Sequence, residues 1–273
     1  MTEVTIIDKL NHLKKYLSEL DGLIIAFSGG VDSTFLLRVA SDVLGEKVIA
    51  VTAQSSTYPE REYLEAVEYA KTFKVKHIII ESEELDIEGF ADNLPDRCYL
   101  CKNELFSKIK DLSISLEISA IADGANIDDL SDYRPGMRAT KELGIISPLK
   151  ESGMTKADIR VLSKDMNLPT WNKPAFACLS SRFPYGTRIT REALKRVDLA
   201  EQYLLDFGFK QVRVRDYGDL ARIEVASDER CRFFDEMIMT KVHNAFLRIG
   251  YRYVTLDLLG YRTGSMNEVL DLN

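Results

Sequence analysis

The sequence predicts an α/β protein, a parallel sheet with helices on both faces over residues 1–172, followed by a smaller α+β domain over residues 173–273. Three observations lead there. Short β-branched runs alternate with helical stretches from about residue 23 to 150, the pattern of repeated β-α-β units. The stretch NLPTWNKPAFACLSSRFPYGT contains Pro169, Pro174, Pro184 and Gly186, so it can be neither one helix nor one strand and marks the boundary. Beyond it the order changes to helix, two strands, helix, strand.

The elements follow in turn. Near the N-terminus, Ile6, Leu10, Leu13, Leu17 and Leu20 recur at helical spacing among charges, which is an amphipathic helix and neither a signal nor a transit peptide. The runs GLIIAF, KVIAVTA, HIIIE, ISAIAD and GIISPL read as strands, with helices from about Asp32, from about Pro59 and around Leu105 between them. A helix is predicted at about 155–166. In the second domain a helix is expected at about 191–207, two strands in QVRVRDYGDLARIEV around the Tyr-Gly-Asp turn, a long helix at about 229–249 and a strand in YRYVTLDLL. Ligands of open parallel sheets sit beyond the C-terminal ends of the strands, so the loops after each run are the ones to inspect.

Composition narrows the function. A formal net charge of -7 argues against a protein whose main task is gripping a nucleic acid backbone, which needs clustered Lys and Arg. The longest apolar runs are strand-length, so no membrane span is expected and a cytoplasmic location is. In a reducing compartment Cys98, Cys101, Cys178 and Cys231 suit metal, cluster or nucleophile roles better than disulfides, though buried packing would also account for some of them.

Directly after the first strand stand Ser28, Gly29, Gly30, Val31, Asp32, Ser33 and Thr34, followed by the helical run FLLRVA. Two glycines let the backbone approach an anion, and the helix start directs N–H groups and positive dipole at it, so a phosphate is the natural guest. The motif lacks the Walker A lysine and the dinucleotide spacing. It matches the SGGxDS PP-loop of the N-type ATP pyrophosphatases, a Rossmann-like fold, and that resemblance implies ATP cleaved between its α and β phosphates. Asp32 can help hold Mg²⁺ as an oxygen ligand, and Asp123, in DGAN after the fourth strand, is placed where the sheet edge meets the nucleotide. Helix capping is the competing role for Asp123.

Cys98 and Cys101 form a CxxC in DRCYLCKNELF, and Cys178 lies far downstream. Three soft thiolates suit a [4Fe–4S] cluster with one open iron, or three ligands of a zinc site. Cys178 can also act as a nucleophile, or surrender its own sulfur, with Arg182 as a neighbour able to favour its thiolate. Cys231 reads as an ordinary helix position, and His12, His77 and His243 have no partner at ligand spacing.

With the PP-loop, the segment DYRPGMRAT (Asp132 to Thr140), the run ACLSSRFPYGT and the ending YVTLDLLGYRTGSMNE in one chain, the sequence resembles the LarE family over its whole length. The resemblance implies an ATP-dependent sulfur insertase of nickel-pincer nucleotide synthesis, the cofactor of lactate racemase. Such enzymes adenylate the carboxylates of pyridinium-3,5-biscarboxylic acid mononucleotide and convert them to thiocarboxylates. Some members sacrifice a cysteine at the position matched to Cys178; others hold a [4Fe–4S] cluster on three cysteines, and Cys98, Cys101 and Cys178 resemble that second kind. The sulfur source is then external, sulfide or a desulfurase, with a nickel-insertion protein downstream and a homo-oligomer as the expected state.

By the same resemblance Lys102 is an active-site lysine, Arg213 and Arg215 clamp the substrate phosphate, and Glu201 and Glu224 hold a metal ion. The third acidic position of that metal set falls near Arg232. Independently, the alternation Val212-Arg213-Val214-Arg215 puts both arginines on one strand face, where salt bridges would explain them equally. Arg262 and Ser265 are phosphate or interface groups. The rival functions are a tRNA thiolase, whose basic face the composition lacks, an amide-forming synthetase, and a non-catalytic nucleotide-binding protein with a structural zinc site.

Overall fold

Strand burial sets the architecture. β1 (Leu23–Ala26) and β2 (Val48–Gln54) carry apolar residues at successive positions because both of their faces are covered. Leu23, Ile25, Val48 and Ala50 join one core while Ile24, Ile49 and Val51 join another on the opposite face, the period-two alternation of a strand. In the computed structural model, which describes residues 5–131, 135–175 and 177–268, these strands lie within a four-stranded parallel sheet of order β3-β2-β1-β4. β3 spans Lys76–Glu81, and β4 is only Ile121–Ala122.

The fifth run, GIISPL, contributes a single bridge, Ala122 to Ile146, instead of a full strand. Pro148 ends its extension by opening the short helix α6 (Pro148–Glu151), where proline is tolerated at the first position.

α1 (Ile6–Ser18) begins at a Thr5–Asp8 capping box and α7 (Lys156–Asp165) at a Thr155–Asp158 box. α2 (Val31–Leu44) buries Val31, Phe35, Leu36, Leu37, Val39 and Ala40, too broad a face for a surface helix, and packs in the first core. α3 (Glu60–Thr72) contributes Ala66 and Ala70 to that core, and α4 (Arg97–Ser115) contributes Phe106 and Ile109 to the other. α5 (Gly136–Glu142) begins within the DYRPGMRAT segment, of which Asp132–Arg134 lie outside the described residues.

The chain forms two units, Met1–Glu83 with Asp96–Phe176, and Glu84–Pro95 with Ala177–Asn273. The segment Glu84–Pro95, which the sequence pattern groups with the sheet, belongs to the second unit for a clear reason. Asn93, fully buried, donates to the carbonyls of Phe183 (3.2 Å) and Pro184 (2.7 Å), while Gly186 and Ile189 donate to Asn93 and Ala91.

That unit holds α8 (Arg191–Asp206), a hairpin of β5 (Val212–Tyr217) and β6 (Leu220–Val225), α9 (Glu236–Ile249) and β7 (Tyr253–Leu256) parallel to β6. Gly218, at φ 76°, makes the hairpin turn. The helix expected from about 229 starts later. A 3-10 turn, Arg230–Phe234, comes first, and Asp235 then caps α9 by accepting from Met237 N at 2.8 Å. Among the described residues no helix is long and apolar enough to cross a membrane.

Candidate functional site

Sheet order places the motif. In the order β3-β2-β1-β4 the direction of winding reverses between β1 and β4, and the crevice outside their C-terminal ends is the binding position of such sheets. The Ser28–Ser33 loop follows β1 and Asp123–Asn126 follows β4, so both loops singled out from sequence flank that crevice. They touch. A Cβ on Gly124 would stand 3.1 Å from Ser33 N, so glycine is what lets the DGAN turn approach the start of α2.

Gly29 adopts φ 61°, and a Cβ there would meet the Ala66 Cβ at 3.1 Å. Gly30 is the N-cap of α2 and brings no side chain to cover the helix start. The Ser28 and Ser33 hydroxyls lie 3.1 Å apart, and Ser33 Oγ also accepts from Ser28 N at 3.3 Å, closing the loop on itself. Thr34 is buried. Asp32 forms an ion pair with Lys156 and accepts from Asn126 Nδ2 at 3.4 Å, so a lysine from α7 balances the carboxylate expected near Mg²⁺.

Asp123 is nearly buried and accepts from the Ser147 hydroxyl (2.8 Å) and Ala125 N (3.1 Å). Its other oxygen stands 3.7 Å from Lys102 Nζ. Two residues marked separately in the sequence are therefore neighbours. A Cβ on Gly136 would strike Lys102 Cδ at 2.9 Å, so Gly136 of the DYRPGMRAT segment clears the lysine's path.

Cys98 and Cys101 occupy the first turns of α4, three residues apart and thus on one face, Cys98 exposed and Cys101 half-buried. Cys178 is half-buried and stands at the head of the 3-10 turn Leu179–Arg182 in the second unit. Among the described residues no three His, Cys, Asp or Glu side chains gather as metal ligands. The two helix thiols fit the soft donor set of an iron–sulfur or zinc site, and they belong to one unit while Cys178 belongs to the other. Cys231, exposed in the 3-10 turn, sits 3.5 Å from the Asp228 carbonyl.

In the second unit the predicted residues form a buried charge cluster. Arg182, with no exposed surface, donates two parallel hydrogen bonds to Glu201, at 2.8 and 2.9 Å. Burial opposes the Arg182 charge, but Glu201 outweighs it and holds the guanidinium above the usual arginine value. Burial likewise opposes the Glu201 charge; Arg182, Arg213 and the Val214 N–H overcome it and keep the carboxyl below the usual glutamate value.

Arg215 makes a second bidentate pair, with Glu224 at 3.0 and 2.6 Å, and also donates to the Ser181 carbonyl and Ser265 Oγ, both at 3.0 Å. Arg222 adds a second cation on Glu224 at 3.0 Å. Glu201 and Glu224, read from sequence as metal ligands, thus balance guanidinium groups, and Arg232 stacks on Phe209 where a further acid was expected. Arg213 and Arg215 do share one buried strand face. Burial and then Arg182 push Arg213 down to about 10, a sign of positive charge crowded into a dry place, and its guanidinium stacks on Tyr261 at 5.1 Å. Arg262 pairs with Asp257 and Glu268, each at 3.3 Å.

Several functional neighbours had no sequence signal. Lys156, Asn126, Tyr58 and Lys173 all reach the PP-loop from elsewhere, Tyr58 by donating to Ser28 O at 2.7 Å and Lys173 by donating to Gly29 O at 3.2 Å. A lysine in a proline-rich stretch reads as solvated, and only the fold shows otherwise.

Residues 5–106 match the NAD synthase family. The chain is 43% identical over 262 residues to an uncharacterized protein of Synechocystis sp., covering 96% of this chain and 98% of that one. It is 38% identical over 268 residues, 97% of this chain and 96% of the other, to the pyridinium-3,5-bisthiocarboxylic acid mononucleotide synthase of Lactiplantibacillus plantarum. An uncharacterized protein of Methanocaldococcus jannaschii is 31% identical over 258 residues, 93% of this chain and 98% of its own. With a PP-loop at the switch point of its sheet and this similarity running along nearly all of its length, the chain belongs to the LarE family of ATP-dependent sulfur transferases.

Proposed function

We propose that this enzyme adenylates the carboxylates of pyridinium-3,5-biscarboxylic acid mononucleotide with ATP and converts them to thiocarboxylates for the nickel-pincer cofactor. The observation that carries the reading is the pairing of Lys102 with Asp123 beside the PP-loop crevice, on the helix that opens with Cys98 and Cys101. The lysine and the two thiols thus share the first turns of α4.

In the proposed reaction Ser28–Ser33 cradle the β and γ phosphates, and Asp32 would help hold Mg²⁺, which when bound supplies positive charge to the phosphates. A substrate carboxylate oxygen attacks the α-phosphorus, forming an acyl adenylate as the bond to pyrophosphate breaks. Lys102 turns from Asp123 to neutralise the charge that grows on the phosphate, a role suited to a cation held beside the reacting group. Arg213 and Arg215 hold the substrate's own phosphate in the second unit. A sulfur nucleophile then attacks the acyl carbon, AMP leaves, and the thiocarboxylate remains.

Cys98, Cys101 and Cys178 would hold a [4Fe–4S] cluster, which when bound supplies an open iron for transferable sulfide. The transferred sulfur would come from sulfide or a desulfurase, a nickel-insertion protein takes the product, and the enzyme works as a cytoplasmic homo-oligomer. The tRNA thiolase alternative has no supporting feature at net charge -7.

The test is anaerobic purification, iron and sulfide analysis, and turnover with ATP and the pyridinium dicarboxylate, following pyrophosphate and thiocarboxylate. About four irons per chain, lost in Cys178→Ala, with several products per enzyme, is the expected result. Iron absent and Cys178 lighter by one sulfur after turnover makes the enzyme a single-use sulfur donor. No pyrophosphate released with this substrate ends the proposal.

A further inference from the structure

Two consecutive carbonyls of the PP-loop are tied down by side chains that no motif contains. Tyr58 Oη donates to Ser28 O at 2.7 Å, and Lys173 Nζ donates to Gly29 O at 3.2 Å. Neither donor is loosely held. The Lys173 ammonium donates to Glu65 on α3 at 2.5 Å and forms an ion pair with Glu62 at 2.7 Å, so two carboxylates hold it on the loop, and the side chain is only 13% exposed. Its charge also lies over the Tyr69 ring, at 5.8 Å. Burial, then Glu62 and Glu65, push the Tyr58 hydroxyl well above its usual value, so it stays a donor.

The geometry of a trans peptide gives this a consequence. Across each peptide plane the C=O and N–H point in opposite directions, and among the described residues no peptide bond is cis. Fixing Ser28 O therefore fixes the Gly29 N–H, and fixing Gly29 O fixes the Gly30 N–H, both aimed away from Tyr58 and Lys173. Consecutive amides so aligned are what an anion nest requires, and two glycines are the residues most able to rotate out of that alignment. Gly29 is already in the left-handed region, at φ 61°.

We infer that Lys173 and Tyr58 are positioning residues of the phosphate cradle: they clamp the Ser28 and Gly29 carbonyls so that the Gly29 and Gly30 amides are preset for the pyrophosphate of ATP. The inference rests on the PP-loop being the pyrophosphate site of the proposed function. Glu62 and Glu65 serve by holding Lys173, and the clamp acts on the β and γ phosphates while leaving recognition of the nucleoside monophosphate to other groups.

The test is calorimetric binding of pyrophosphate with Mg²⁺, of α,β-methylene-ATP and of AMP to the full chain and to Lys173→Met, Lys173→Arg and Tyr58→Phe. Lys173→Met and Tyr58→Phe are expected to weaken pyrophosphate and the ATP analogue by about tenfold each, the effect of one oriented hydrogen bond, with AMP unchanged and Lys173→Arg largely restored. Tyr58→Phe removes one oxygen and no charge, so it reports orientation apart from direct attraction, and it remains informative if Lys173→Met does not fold. Pyrophosphate binding within twofold of wild type in both variants, or AMP and pyrophosphate weakened in parallel, overturns the clamp while leaving the site's assignment intact. A wild-type chain that binds AMP but no pyrophosphate overturns the assignment and the clamp together.

Discussion

Lys102 Nζ lies 3.7 Å from a carboxylate oxygen of Asp123, across the gap between α4 and the turn that follows β4. The lysine is about two-fifths exposed and the aspartate almost enclosed, so the cation is the member free to turn towards an incoming phosphate. Asp123 also accepts from Ser147 and Ala125 through its other oxygen, which fixes the anion while the lysine moves.

Replacing Lys102 with Met should lower the rate of pyrophosphate release by about 10²-fold, the usual loss when one stabilising group is removed from a developing oxyanion. Gly136→Ala should lower it too, by less, because the added methyl displaces the lysine stem. Pre-steady-state pyrophosphate release checks both. A Lys102→Met rate equal to wild type would remove this lysine from the chemistry.

Gly29→Ala should cost about 1–2 kcal/mol in stability, the usual penalty of a left-handed backbone for an L-residue, plus the strain of a methyl 3.1 Å from Ala66. ATP binding should be lost before folding is. Urea unfolding alongside calorimetry separates the two effects, and an unchanged ATP affinity would contradict the tight loop described above.

Removing one partner of the buried Arg182–Glu201 pair should destabilise the second unit by about 3–5 kcal/mol, because the remaining charge is stranded. The pH dependence has a definite sign. Glu201 is held below its usual value, so its stabilisation is present above the unfolded glutamate range and is lost as pH falls through the lower folded value. Unfolding midpoints measured downward from pH 5 should drop more steeply in wild type than in Glu201→Gln. Equal slopes would mean that the pair contributes nothing to acid sensitivity.

Arg213 behaves in the opposite way. Its value is pushed down to about 10, so the folded state binds its proton less well than the unfolded chain and the charge opposes folding at neutral pH. Arg213→Met should therefore leave the melting temperature level or raise it, while KM for the pyridinium substrate rises by at least about tenfold through loss of a charged phosphate contact. A variant that melts lower and keeps its KM would make Arg213 a structural residue.

Local chemistry was readable in the sequence and long-range pairing was not. Ser28–Ser33 declared themselves because loop, glycines and helix start are contiguous, and the strand runs because burial on both faces leaves unbroken apolar residues. Arg215 and Glu224 are each visible, yet that they meet diagonally across a hairpin depends on the register, which sets Arg213 opposite Glu224 and Arg215 opposite Arg222. Lys173 was invisible for a similar reason, since its partners stand 108 or more residues away. The start of α9 was misplaced because Arg230–Phe234 has helical composition, and the preference was settled by Asp235 capping the following turn.

The division of the chain has a consequence for how it is made. Glu84–Pro95 leaves the ribosome between the two halves of the first unit, while its packing partners come from Ala177 onward. Leu85 and Asn93 must therefore wait, uncovered, until Leu179, Phe183 and Pro184 have been synthesised. No single cut separates the units either. A fragment beginning at Ala177 would lack the segment that fills its own core, so the second unit can be studied alone only if residues 84–95 are stitched back onto it.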